Sequence, residues 1–297
     1  MRKYFLWPIS FLFFLLILLF IYLSSFGYET KKFNSLLEDK ITSNVPNTEI
    51  NLDKIKIKIN IKNLSFFVKI FKPNIKYYGN QIGINTIDAY VDLKSILIGK
   101  PQINKIYVVS SEMDLNEIKS IIKYQKPSNI KKFFLNDINE GNATFKLDLN
   151  LKNNEIKNYE INGVVKNFFA TFQNIDLKKI SFIYSIKKNS GEIDNIRGLI
   201  NGFQVNSGNV EFQSSQSLKL KGSIISDLKL NKIDLNKIIK NETFKNLKNF
   251  ELNGKIKSKF EVNFDKTLKI NDYQLQASGN IQKSNFVFQK PKNYLFI

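Results

Sequence analysis

The chain has 297 residues, 43% of them hydrophobic, which is enough for one large core or two smaller ones. It contains no cysteine and no histidine, which excludes disulfides, thiol nucleophiles, thiolate metal sites and imidazole bases. The formal net charge of +19 comes mainly from lysine that alternates with apolar residues along the chain, which favours solvated strand faces and protected sheet edges. Contact with anionic lipid headgroups is the alternative. No nucleic-acid partner is expected, because such a site would concentrate arginine on one face.

The first predicted element is a helix over the apolar run 5–23, which follows Arg2 and Lys3. Such a run spans roughly 28 Å as a helix, close to the hydrocarbon thickness of a bilayer. The positive-inside rule then places the N-terminus in the cytoplasm, and the lack of disulfides favours a bacterial periplasm for the rest. We therefore predict a single-pass inner-membrane protein with a transmembrane signal-anchor in residues 1–28 and its bulk in the periplasm. A cleaved signal peptide and a buried core helix are the alternatives.

Residues 29–137 are predicted to form an α+β membrane-proximal region. Phe33, Leu37 and Ile41 recur at helical spacing and predict an amphipathic helix over 32–45. Alternating or apolar runs predict strands at 55–61, 66–71 and 82–91, with a turn at 77–80.

The pattern Asp-Leu-x-x-Ile occurs four times, and its aspartates suit helix N-caps because a carboxylate accepts from the free N–H groups of a first turn. We predict helices over 92–98, 115–124 and 235–240, and a transition into strand at Ile180. Paired acid/base carboxylates are the alternative interpretation, but nothing in the spacing brings these residues together. The four aspartates are Asp92, Asp114, Asp176 and Asp234.

Residues 138–297 are predicted to be an antiparallel sheet. In 143–151 every odd position is apolar and every even position polar, which is typical of a strand with one buried face. Similar runs cover 159–173, 180–186, 252–264 and 273–281, with turns at 153–154, 189–191, 207–209 and 279–280. Gly163, Gly222 and Gly254 fall inside strand patterns and indicate bulges or curvature. One apolar face is predicted from Phe145, Leu147, Leu149, Ile161, Val165, Ile180, Phe182, Tyr184, Ile186, Ile256, Phe260, Val262, Phe264, Tyr273 and Leu275.

The segment IDAYVDLKSILIGKPQINKIY, residues 87–107, resembles the N-terminal part of AsmA-like and TamB-like proteins. The pieces MDLNEI (113–118) and INEGNATF (138–145) fit the repeat pattern of that family. The resemblance implies an inner-membrane anchor, a periplasmic location in Gram-negative bacteria and an elongated, curled, taco-like β-groove. It also implies bridge-like transfer of phospholipid towards the outer membrane or support of its assembly. The chain is shorter than many members of that family.

The leading hypothesis is therefore a non-enzymatic protein, without cofactor or metal, whose predicted apolar face accepts phospholipid acyl chains. Its expected partners are those acyl chains, the inner membrane and outer-membrane or envelope proteins. The alternative function is an envelope assembly or scaffold protein that binds a protein partner through its sheet edge. A third hypothesis is a hydrolase of envelope polymers. The alternative to a groove is that the alternating residues form an ordinary closed core.

Overall fold

The computed structural model describes residues 2–60, 65–98, 102–152, 155–172, 175–214, 217–231, 247–265 and 269–288. Its helices are α1 Arg2–Ser25, α2 Asn34–Asn44, α3 Leu93–Leu97, α4 Leu115–Ile122 and α5 Asn129–Asn136. The early strands are β1 Tyr28–Thr30, β2 Thr48–Asn51, β3 Ile55–Asn60, β4 Ser65–Phe71, β5 Asn74–Tyr77, β6 Asn80–Ile82, β7 Ile84–Asp92, β8 Ile103–Ser110 and β9 Met113–Asp114. The longer strands that follow are β10 Ile138–Lys152, β11 Glu155–Phe172, β12 Ile175–Lys187, β13 Ser190–Ile200, β14 Phe203–Ser214, β15 Leu218–Asn231, β16 Leu247–Phe264 and β17 Ile270–Phe288.

Most strands belong to one 14-stranded sheet in the order β1-β3-β4-β7-β8-β10-β11-β12-β13-β14-β15-β16-β17, with β9 paired beside β10. From β10 onward each strand lies beside its neighbour in sequence, so this part of the sheet is built from successive hairpins. A separate three-stranded sheet has the order β2-β5-β6. The prediction of a mainly β chain with an antiparallel sheet and a few short helices is confirmed.

The membrane assignment is contradicted. To cross a hydrocarbon core of about 30 Å, a helix needs roughly 20 consecutive, mostly apolar residues. Within the residues that the structure describes, no helix combines the length and apolar content that a membrane span requires. The predicted transmembrane signal-anchor, and with it the single-pass inner-membrane localisation, is therefore wrong.

Two of the predicted N-caps are confirmed. Asp114 precedes α4, and its Oδ1 accepts a hydrogen bond from the backbone N–H of Asn116 at 2.7 Å. Asp92 precedes α3, and its Oδ2 accepts from the backbone N–H of Ser95 at 3.1 Å. Asp176 instead lies in β12, which begins before the predicted transition at Ile180. The helix predicted over 235–240, with Asp234, lies outside the described residues.

The chain divides into two compact units. The first comprises Met1–Lys131, Asn142–Val164 and Ser185–Lys188, and its core is the cluster of Leu52, Ile55 and Ile70. The predicted amphipathic helix is confirmed as α2, which contributes Leu37 to this core. Helix α2 is fixed by Asn34, whose Nδ2 donates to the carbonyl oxygen of Leu52 at 2.7 Å.

The second unit comprises Lys132–Gly141, Val165–Tyr184 and Asn189–Ile297. Its main core cluster is formed by Ile180, Ile196 and Val205, which are between 1% and 8% exposed. Half-buried apolar side chains pack around the cluster, including Phe168, Phe182, Ile193, Val210 and Ile224.

Backbone irregularities lie beside this core. Asn167, Lys179 and Asn195 have positive φ although they lie in β11, β12 and β13. On β14 the register with β15 shifts between Val205 and Ser207. Because bulges bend strands and increase their twist, this region of the second unit departs from a flat sheet.

Candidate functional site

The candidate site is one face of strands β14 to β17 in the second unit. Strands β15 and β16 pair without a register shift, so residues that face one another across the ladder share a side of the sheet. Leu220 faces Val262 and Gly222 faces Phe260, while the intervening Lys221 faces Glu261 on the other side. The alternation of apolar and polar residues therefore stays in phase across the two strands.

The same face continues onto the neighbouring strands. Phe212 of β14 faces Leu220, and Tyr273 and Leu275 of β17 face Val262 and Phe260. We call this surface the apolar face. Its larger side chains are Phe203, Val205, Val210, Phe212, Leu218, Leu220, Ile224, Leu228, Leu230, Leu252, Ile256, Phe260, Val262, Phe264, Tyr273, Leu275 and Ile281.

The opposite side of these strands is polar and rich in lysine. Lys219 Nζ lies 2.6 Å from Glu261 Oε1, and Lys283 Nζ lies 3.3 Å from Glu251 Oε2. The hydrogen bond from Lys219 holds the pKa of the Glu261 carboxyl below its ordinary value. Both pairs are at least partly exposed to solvent, so their main effect is to keep this side of the sheet hydrated.

The apolar face carries no titratable side chain on β15 or β16. Besides aliphatic and aromatic residues and two glycines, its positions there are Ser226 and Ser258. Apolar contact is thus the main interaction that these two strands offer to a ligand, and a serine hydroxyl is the main polar group near it.

Exposure of the apolar face increases towards β17. Val205 on β14 is 1% exposed, and Phe260 and Val262 on β16 are half-buried. On β17, Tyr273 is 67% exposed and Leu275 is 64% exposed. The apolar face is therefore accessible from solvent on β17 and partly accessible at Phe260 and Val262, but not at Val205.

Two glycines create a depression in the apolar face. Gly254 lies between Leu228 and Ile281 on the neighbouring strands, and Gly279 faces Ile256. A cavity of about 240 Å³ lies at this place and is lined in part by those three apolar side chains. A cavity of about 350 Å³ lies on the opposite side, where charged and amide side chains line most of it. The smaller cavity is the one suited to an apolar ligand.

Most of the predicted face residues in the second unit come together at this site. Ile256, Phe260, Val262 and Phe264 of β16 share the apolar face with Tyr273 and Leu275 of β17. Val165 and Ile180 are buried instead, at 7% and 4% exposed. Phe182 packs against the buried cluster with its ring centroid 6.0 Å from that of Phe168, and burial raises the pKa of the nearby Tyr184 hydroxyl.

The predicted face residues of the first unit lie in a different setting. Leu147 and Leu149 of β10 face Val108 and Ile106 of β8, and Phe145 precedes them on the same strand. All three predicted residues are half-buried, as are Ile161 on β11 and Ile186 on β12. Leu147 and Leu149 thus lie opposite apolar residues of β8.

Sequence reasoning missed the contribution of β14 and β15 to the apolar face. Leu218, Leu220, Ile224 and Leu228 alternate with polar or smaller residues, as do Val210 and Phe212. The period-2 signal was therefore present in both strands. A predicted turn over 207–209 interrupted it, but those residues lie inside β14.

Comparison of the chain with protein-family models, curated proteins and solved structures gave no match. The resemblance to AsmA-like proteins therefore stays an interpretation of the sequence pattern. Within the described residues, no three acidic, histidine or cysteine side chains come together as metal ligands.

Proposed function

We propose that this chain is a non-catalytic lipid-binding protein whose apolar face accepts phospholipid acyl chains and lets them move along the strands. The observation that carries the proposal is the accessibility of that face. From Val262 to Leu275 it changes from half-buried to mostly exposed, and it carries no titratable residue on β15 or β16.

The energetics suit such a ligand. Transfer of each methylene from water to an apolar surface is worth about 0.8 kcal/mol, so an acyl chain gains several kcal/mol by lying along a continuous wall. The depression at Gly254 and Gly279 gives such a chain a place to sit below the level of the neighbouring side chains. The charged headgroup would remain in water, because β15 and β16 offer no ionic partner on that side.

The resemblance to AsmA-like proteins supports the same ligand class. It adds a direction to the hypothesis, namely phospholipid transfer towards an outer membrane or support of its assembly. Membrane anchoring by α1 is not part of the proposal.

Site-specific photocrosslinking tests the proposal. A photoreactive amino acid is placed in living cells at Val262, on the apolar face, and separately at Asn263, the next residue on the polar side of β16. Both positions are half-buried, so they form a matched pair. After irradiation and purification, mass spectrometry should detect phospholipid adducts at position 262 and few or none at position 263. Equal yields at both positions, or no lipid at either, would contradict acyl-chain binding on this face.

A second candidate function is the binding of a protein partner through a sheet edge. The observation in its favour is β17, a 19-residue strand whose described residues are exposed. Crosslinks to protein from position 275, which lies on β17 itself, would favour this second function.

A further inference from the structure

Strand β17 is the last strand in the order of the large sheet, and among the described residues it pairs with β16 alone. One edge of the strand therefore presents backbone N–H and C=O groups that have no ladder partner in this part of the chain. The apolar residues Tyr273, Leu275 and Ile281 on this strand are 64% to 67% exposed.

This edge lacks the usual protection against strand pairing. Natural edge strands are commonly short, interrupted by proline or rich in charge. Strand β1, at the other end of the sheet order, has three residues and contains Glu29. Strand β17 has 19 residues without proline, and its charged residues are Asp272 and Lys283. A long edge with little charge is a template for another strand.

The strand is complementary to itself in one antiparallel register. Its odd-numbered residues from Tyr273 to Ile281 lie on the apolar side. If Ala277 faces Ala277 of a second copy, Tyr273 faces Ile281 and Leu275 faces Gly279, so apolar residues meet apolar residues or glycine. On the polar side, Gln274 then faces Asn280 and Gln276 faces Ser278.

The charges fit the same register. Ile281 and Lys283 pair with consecutive residues of β16, so Gln282 is the extra residue of a β-bulge. In the dimer register, Asp272 of the second copy faces this bulge. Lys283 points to the same side of the sheet as Asp272, so each end of the pairing brings together one acid and one base. Lys283 also lies 3.3 Å from Glu251 of its own chain, and would be shared between the two carboxylates.

We propose that the chain forms a two-fold symmetric dimer by antiparallel pairing of β17 with β17 of a second copy, centred on Ala277. The two-fold axis is perpendicular to the sheet, so both apolar faces lie on the same side and form one wider surface. This names the partner for the edge-binding function proposed above, and it does not depend on whether the apolar face binds lipid.

Cysteine crosslinking of the full chain tests the register. The chain has no cysteine, so a single introduced thiol is unambiguous. Facing residues of an antiparallel pair have Cα atoms roughly 4.5–5.5 Å apart, which suits a disulfide. Ala277→Cys should form a disulfide-linked dimer at least about tenfold faster than Tyr273→Cys or Ile281→Cys alone, because only position 277 meets itself. A mixture of Tyr273→Cys and Ile281→Cys should form the heterodimer at a comparable rate.

Light scattering on Ala277→Lys tests the interface without a crosslink. This change places two like charges opposite each other on the two-fold axis, so the protein should become monomeric. Gln274→Lys adds the same charge to the same strand far from the axis and should remain dimeric. Because α1 exposes apolar side chains, all variants are compared in the same mild detergent. Circular dichroism checks that both variants are folded.

A monomeric wild-type chain, or slow crosslinking at Ala277, would overturn the dimer. That is the result expected if residues after Phe288 or another protein cover the edge. An outcome of this kind leaves the lipid adducts at position 262 unaffected, so the two proposals fail independently.

Discussion

Gly198 is a residue at which the backbone of the second unit has little freedom to change. Its φ is +140°, a conformation that residues with a side chain rarely adopt. A Cβ atom added there would lie 2.6 Å from the carbonyl oxygen of Lys179 and 2.8 Å from Cα of Ile180. The close approach of β13 to β12 therefore requires glycine, and it occurs beside the buried Ile180.

Gly198→Ala should lower the free energy of unfolding by about 2–3 kcal/mol, because both strain and steric overlap oppose the new Cβ. Gly202→Ala is the control, since Gly202 also has positive φ but has no atom within 4 Å of the added Cβ. Its cost should be about 1 kcal/mol, from backbone strain alone. Chemical denaturation of both variants measures the difference. If both lost the same free energy of unfolding, the close approach of β13 to β12 would add nothing to the cost at Gly198.

Asp88 is a buried carboxylate in the first unit and is 7% exposed. Its Oδ2 accepts a hydrogen bond from Lys69 Nζ at 3.4 Å, while its Oδ1 is buried and has no hydrogen-bond partner. Burial raises the pKa of the Asp88 carboxyl above its ordinary value of 3.8, although Lys69 opposes the shift. The folded chain therefore holds this proton more tightly than the unfolded chain does.

The consequence for stability has a definite sign. As pH rises through 3.8, Asp88 loses its proton in the unfolded chain while the folded chain still holds it. The free energy of unfolding therefore falls with rising pH until pH passes the raised pKa of the folded chain. Asp88→Asn should remove that loss, and its stability relative to wild type should therefore improve between about pH 3 and pH 7. Denaturation curves across this range provide the measurement.

Asp53→Asn provides a control of opposite sign. The hydrogen bond from Lys31 lowers the pKa of the Asp53 carboxyl, so its contribution is present above the ordinary pKa and is lost as pH falls. Relative to wild type, Asp53→Asn should therefore become less stable as pH rises. A parallel trend in the two variants would contradict the account of Asp88.

Local turn chemistry shows how far single residues can predict the fold. The Ser207-Gly208-Asn209 and Gly279-Asn280 segments predicted turns, yet they lie inside β14 and β17. The turn between β13 and β14 is Asn201-Gly202, where both residues have positive φ. In strands, Gly208 and Gly279 instead allow close packing with the adjacent strands, and that depends on residues distant in sequence.

Among the elements, α4 is the helix whose start was predicted most directly from the sequence. The position of Asp114 before an apolar run predicts a helix cap, and its carboxylate accepts a hydrogen bond from the backbone N–H of Asn116 in the first turn. The same Asp-Leu-x-x-Ile pattern at Asp176 is part of β12, where Asp176 pairs with Lys178 at 2.6 Å. Pairing with neighbouring strands therefore overrode the local helix signal there.

Asp114→Ala should destabilise the protein by about 1 kcal/mol, because the N–H of Asn116 loses its acceptor. Asp114→Asn should change stability little, since asparagine caps a helix about as well as aspartate. Thermal unfolding of the two variants is the measurement. If Asn were as harmful as Ala, the carboxylate charge would matter in a way that capping does not explain.

Across the whole molecule, alternation of apolar and polar residues predicted the antiparallel sheet but not how deeply each strand is buried. Ile180 and Val262 follow the same sequence rule, yet Ile180 is 4% exposed and Val262 is half-buried. The difference comes from the packing around them. Ile180 belongs to a buried cluster, whereas Val262 faces Tyr273 of β17, which is 67% exposed.

This difference leads to a prediction about charge. Val205→Glu places a carboxylate at a position that is 1% exposed in the core of the second unit, and should cost about 3–5 kcal/mol or prevent folding. Val262→Glu places the same group on the accessible apolar face, where water can reach it, and should cost about 1–2 kcal/mol. Asn263→Glu, on the polar side of the same strand, should cost less than about 0.5 kcal/mol.

Val262→Glu and Asn263→Glu should also differ in the amount of lipid that they bind. Phospholipid copurified with the protein, measured by mass spectrometry per mole of folded chain, should fall strongly in Val262→Glu because the carboxylate interrupts the apolar wall. It should remain at the wild-type level in Asn263→Glu, which adds the same charge one residue away on the other side of β16. If Val262→Glu were as damaging to folding as Val205→Glu, position 262 would belong to a closed core. If it folded and retained its lipid, the apolar face would not be the binding surface.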